Sequence, residues 1–173
     1  MTPTNTPTST PTACQTESFV GFHSTPTPAD SVDPTAGDVG VSPVTILSGS
    51  SEQISDIQFN IQSAVSGTPQ VIVGIYSDTG LNHPATLIYS SGVTSCSVGF
   101  NKVTISPRLY LAAGTYWVAV SPVGSDVTLF GGGVGSAADY PASSSAILVD
   151  LTGSSPLTTP KVFSIEAWLG YCP

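Results

Sequence analysis

Ionised side chains are scarce in this chain: only 8% of its 173 residues are charged, against roughly 25% in an average soluble protein. Its cations are Lys102, Arg108 and Lys161, three against eleven carboxylates, for a net charge of −8. That balance argues against nucleic acid and against an anionic membrane surface, since neither finds a basic patch in the sequence. The two histidines, His23 and His83, stand alone, and no CxxC spacing occurs, so a metal centre is not expected. Mean hydropathy is +0.25, yet no apolar run approaches the roughly 20 residues of a membrane helix, and membrane insertion is not expected. No window carries a helical period. GxSxG, HExxH and the phosphate-loop pattern are missing, and the glycines at 131–133 and 135 have no lysine after them. Nothing singles out a pair among the eleven acids. No catalytic residue and no cofactor is therefore expected.

What fills the space is Ser, Thr, Gly, Pro and apolar residues. A surface built from these is sticky unless it is buried in an assembly or coated with glycan. Residues 1–12 read MTPTNTPTSTPT, with Thr2, Thr4, Thr6, Thr8, Thr10 and Thr12 at every even position and proline at Pro3, Pro7 and Pro11. Proline at that density excludes helix and favours an extended chain, about 37 Å over those twelve residues, in an arm that spans residues 1–13. Thr-Pro tracts of this kind are the composition of O-glycosylated stalks, so the six threonines are the glycosylation candidates. Met1 is followed at once by this tract, with no basic or apolar leader in between. The expectation is a leader removed from the precursor or a numbering that begins inside a longer chain.

Beyond the arm, residues 14–173 read as one domain. QVIVGIYSDTG, Gln70–Gly80, is apolar or small on both faces and ends in turn residues, as a strand covered on both sides should. Thr115–Ser121, TYWVAVS, has the same character, with Tyr116, Val118 and Val120 on one face and Trp117 and Ala119 on the other. In Gln53–Gln62, Ile57, Phe59 and Ile61 alternate with polar residues. Further short strands are expected at Ser18–Phe22, Val44–Leu47, Thr86–Ser90, Val93–Val98, Phe100–Ser106, Leu109–Leu111, Val127–Phe130, Ala146–Leu151 and Val162–Leu169. Thr25–Pro43 is polar, rich in proline and without a period, and reads as a surface loop or partner contact. Many short strands punctuated by Gly and Pro predict an all-β antiparallel sandwich, of jelly-roll type, with an extended N-terminal arm.

Three cysteines leave the connectivity open. A Cys14–Cys172 bridge ties the ends of the domain together, worth about 4–5 kcal/mol on the chain-entropy argument, and leaves Cys96 a small buried hydrophobe. A bridge through Cys96, or none, is the alternative. Asp78, Gly80 and Asn82 could offer oxygens to Ca²⁺, but their spacing fails the EF-hand pattern and an Asx turn explains them better. Trp and Tyr residues could stack on sugar rings if several shared an exposed face, although core or interface positions are the simpler account.

The order IQFNI, VIVGIYSDTG, LIYSSG and AAGTYWVAV, between Ile46 and Val120, resembles secreted bacterial modules of the choice-of-anchor R type. It departs from them at Pro84-Ala85, where the family usually has Pro-Gly. The resemblance implies a jelly roll in surface proteins, beside sorting or linker segments, and no established catalysis.

Two functions follow as expectations. The first is a structural subunit of an extracellular filament or surface appendage, with identical subunits joined head to tail in a helical or linear polymer. There the arm meets a neighbour's sheet edge and covalent glycans restore solubility. The alternative is a carbohydrate-binding or adhesive module of a larger cell-surface protein.

Overall fold

A computed structural model of the chain describes residues 17–21, 31–32, 36–46, 52–130, 138–141, 147–156 and 165–170. The arm with its threonines and prolines, the glycines at 131–133 and 135, and both Cys14 and Cys172 lie outside them.

The described strands are β1 (Glu17–Gly21), β2 (Ser31–Val32), β3 (Asp38–Ile46), β4 (Glu52–Ala64), β5 (Gln70–Asp78) and β6 (Pro84–Ser90). They continue with β7 (Thr94–Ser95), β8 (Gly99–Leu111), β9 (Gly114–Pro122), β10 (Val127–Phe130), β11 (Ala138–Pro141) and β12 (Ile165–Gly170). No helix occurs among the described residues. One sheet, here sheet A, runs β1-β12-β4-β10-β2, with β8 also on β4; sheet B runs β11-β3-β9-β5-β6, with β7 also on β5. Ile57 has Ala167 of β12 on one side and Val103 of β8 on the other. All these pairings are antiparallel, and from β7 onward each connection passes from one sheet to the other. That wrapping is how a jelly roll closes its two layers over one core.

The core lies between the sheets and follows the two-residue period of a strand. Sheet A contributes Ile57, Phe59 and Ile61 from β4 and Val103 and Ile105 from β8; sheet B contributes Val71, Val73 and Ile75 from β5 and Val118 and Val120 from β9. Each such side chain, fully buried, stabilises the fold by about 1.5–3 kcal/mol relative to exposure. The alternate residues of β5 and β9, Ile72, Tyr76, Trp117 and Ala119, form a second cluster on the far face of sheet B. The central stretch is thus covered on both sides, as its sequence predicts.

Four expectations are corrected. Asp38–Pro43 is no loop but the first part of β3, with Val39 and Val41 fully buried. Pro43 is tolerated there because β11 pairs only with Asp38–Val41, so Pro43 lies past the end of that neighbour. Phe100–Ser106 and Leu109–Leu111 are one strand, β8. Its register passes from Thr104↔Asp56 to Leu109↔Ile54, so residues 105–108 bulge opposite Ser55 and absorb Pro107 without ending the ladder. Val93–Val98 shrinks to Thr94–Ser95, because Cys96 N–H turns to the Pro69 carbonyl at 2.8 Å. Residues 147–151 form no strand. Leu148 and Leu151 both bury against sheet B, whereas in a strand residues three apart would face opposite ways.

Candidate ligand-binding face

The outer faces of the two sheets are built differently. On sheet B the segment 147–156 lies across the strands as a strap. Leu148 and Leu151 pack on Val39, Val41, Ile72, Tyr76, Trp117 and Ala119. Gly74 makes this possible: a Cβ there would stand 2.4 Å from Leu148 Cδ1 and 3.0 Å from the Tyr89 carbonyl. Polar bonds pin the strap to β6, since Leu151 N–H donates to the Ala85 carbonyl at 2.9 Å and Leu87 N–H to Asp150 Oδ1 at 2.6 Å. They also shield part of an edge strand from foreign pairing.

At the end of this sheet Asp78 holds the turn after β5. Its Oδ2 accepts Gly80 N–H at 2.6 Å, which is the Asx turn read from the sequence, and its Oδ1 accepts Trp117 Nε1–H at 2.8 Å. Asn82 completes the turn in the left-handed region, with φ of 62°. Trp117 and Tyr76 are fully buried, so neither can stack on a ligand. The Tyr76 hydroxyl is buried without a hydrogen-bond partner. Burial, with the Asp150 charge adding to it, pushes its ionisation well above the usual tyrosine range.

Sheet A presents polar groups instead. On β4 and β8 the residues alternate with the core set, and the register places Asn60 opposite Phe100, Gln58 opposite Lys102 and Asp56 opposite Thr104. Asp56 is the hub. Its Oδ2 accepts from Lys102 Nζ at 3.0 Å and from Ser55 Oγ at 2.9 Å, and its Oδ1 accepts from Gln58 Nε2 at 2.8 Å. The Asp56 side chain is only 3% exposed, while that of Lys102 is 43% exposed. Three donors replace the water that burial takes from the carboxylate, and in return it fixes the lysine and the Gln58 amide in place. On the partner strand at β4's other edge, Trp168 stands opposite Asp56 in the register.

Aromatics flank this polar ladder. Phe100 is 58% and Tyr110 is 66% exposed, both on β8. Gln53 Nε2 donates to the Tyr110 hydroxyl, which orients that ring. Such a face, polar in the middle and aromatic at its ends, can stack on rings and bond hydroxyls. β8 pairs with β4 alone among the described strands, so it is a sheet edge.

Neither the Phe100–Tyr110 pair nor the Asp56 hub was singled out by sequence reasoning. The usable signal was the placement of two of the three cations, Lys102 and Arg108, within one stretch of alternating residues. Cys96 is a free thiol, half-buried against the core rather than fully buried. Burial pushes its pKa up to about 11, so at neutral pH it is no thiolate nucleophile. No group of His, Cys, Asp or Glu that could hold a metal ion occurs among the described residues.

No protein-family model matches the chain, and no curated protein matches it in sequence. Solved structures do match in fold. One is the crystal structure of the cysteine protease and lectin-like domains of Cwp84, a surface layer associated protein of Clostridium difficile, at a TM-score of 0.52 and 15% identity over 83% of this chain. Another is a variant of the clostridial cysteine protease Cwp84 after propeptide cleavage, at a TM-score of 0.55 and 16% identity over 82% of this chain. The match spans 37% and 38% of those two chains. At this identity the likeness is one of fold.

Proposed function

We propose that this chain is a carbohydrate-binding module of a larger cell-surface protein. The observation that carries it is the outer face of β8 on sheet A, where the exposed Lys102 is set between the exposed Phe100 and Tyr110, with half-buried Asn60 beside them on β4. The fold supports the reading, since it is shared with a surface-layer associated protein that contains a lectin-like domain. The resemblance to choice-of-anchor R modules points to the same habitat. Recognition works through ring stacking on the aromatics and hydroxyl bonding to the Lys102 ammonium that Asp56 holds in place. Preorganisation matters because an exposed sheet face excludes little water and gains most from groups that need no ordering on binding.

A head-to-tail filament finds less support. Its carrier, the arm, lies outside the described residues, and β8, the long edge of sheet A, holds Lys102, Pro107 and Arg108, residues that discourage strand addition. Deleting residues 1–13 tests that alternative: it predicts loss of any polymer. The carbohydrate reading predicts binding on a glycan array that Phe100→Ala with Tyr110→Ala removes while the fold stays intact. Retained binding in the double variant contradicts it.

A further inference from the structure

The geometry points to an anionic polysaccharide, a linear chain of uronic acid sugars, as the ligand of β8, bound through Phe100, Lys102 and Arg108. This rests on the carbohydrate reading above and goes beyond it by naming the sugar class and the strand. The first argument is charge placement. The chain has three cations against eleven acids, and both cations among the described residues, Lys102 and Arg108, sit on this one edge strand. The chain's one other cation is Lys161, so β8 is the described surface where an anionic polymer meets positive charge.

The second argument is how Lys102 is presented. An ammonium has three donors. Asp56 takes one at 3.0 Å and is itself nearly sealed from solvent, while the lysine remains 43% exposed. The carboxylate therefore anchors the ammonium from beneath and leaves donors for a ligand above. Phe100, two residues away on the same face and 58% exposed, supplies the stacking surface next to that charge. Arg108 follows six residues along β8, within the bulge opposite Ser55, so the two cations are separated along the sheet by less than the four positions from Gln58 to Ile54, about 14 Å. No monosaccharide bridges that interval, whereas a chain with a carboxylate on each sugar does.

The test measures the affinity of the intact chain for alginate, with pullulan as the neutral polysaccharide and a DNA duplex as a non-sugar polyanion. Alginate is expected to bind best. Lys102→Gln, Arg108→Gln and Phe100→Ala are each expected to weaken it roughly tenfold or more. Lys161→Gln changes the net charge by the same unit outside β8 and is expected to leave affinity within about twofold. Circular dichroism establishes that each variant is folded; if Lys102→Gln is not, Arg108→Gln decides. Equal loss in all three cation variants overturns the proposal, as does alginate binding indifferent to Lys102 and Arg108. DNA bound as tightly as alginate overturns the sugar class. Binding of pullulan without alginate overturns this inference and leaves the carbohydrate module standing; binding of no glycan at all overturns both.

Discussion

The two outer faces of the sandwich solve opposite problems. Sheet B turns Ile72, Tyr76 and Trp117 away from the inter-sheet core and then needs a lid for them, which Leu148 and Leu151 supply. Sheet A turns Lys102 and Thr104 outward, and both are exposed. The same strand period produces both, because alternate residues face opposite ways and only their chemistry differs. An apolar outer face is best covered from within the chain; a polar one can face water. The lid therefore adds to the inter-sheet core on one outer face, and the recognition proposed above falls on the other.

The sharpest way to break this contrast is to remove the lid. Leu148→Ala is expected to cost about 2–5 kcal/mol in denaturant unfolding, by lost burial and the cavity left behind; a cost near zero would mean the strap is no part of the fold. Asp56→Ala is expected to cost less, about 2–3 kcal/mol, because one of its three partners, Lys102, is partly hydrated already. It is also the substitution on sheet A that should affect stability and glycan binding together. Phe100→Ala and Tyr110→Ala should shift stability by no more than about 0.5 kcal/mol while abolishing binding.

Alkaline pH probes the buried side. Cys96 ionises at about 11 when folded, against an ordinary value of 9.0, and Tyr76 and Tyr89 are raised above their ordinary 10.0. Above those ordinary values the unfolded chain has lost protons that the folded chain keeps, so stability falls as pH rises. The decline is expected to begin near pH 9 with Cys96 and to steepen above pH 10. Tyr76→Phe removes a buried hydroxyl without a partner, so it should be neutral or slightly stabilising at pH 7 and should flatten the decline above pH 10. A decline of wild-type slope in this variant would contradict the burial of Tyr76.

Much of the sandwich is legible in the sequence where burial and period agree. β5 and β9 declare themselves because both faces are apolar, and β4 because Ile57, Phe59 and Ile61 alternate with polar residues. The turn at Asp78 is legible because its chemistry is local. What escapes the sequence depends on partners far along the chain. Pro43 disguises the start of β3, since only the short reach of β11 makes a proline acceptable there. Ser106-Pro107-Arg108 looks like a break, and only the bulge against Ser55 shows that β8 runs through it. The strap is invisible because Leu148 and Leu151 obey no regular period. The proposed binding face is hidden for a similar reason: Asp56 and Lys102 are 46 positions apart, and only the β4–β8 register brings them together. The bridge between Cys14 and Cys172 stands as a proposal, helped by β1 and β12 being neighbours with Glu17 opposite Gly170. Non-reducing peptide mapping is expected to return those two cysteines joined and Cys96 free.

The division between a sealed face and an open one is tested most directly by hydrogen–deuterium exchange of the intact chain with and without saturating alginate. The account predicts new protection in peptides covering 99–111 and 52–62, and no change in 147–156 or 70–78. Protection confined to the strap and β5, with β8 exchanging as before, would contradict it.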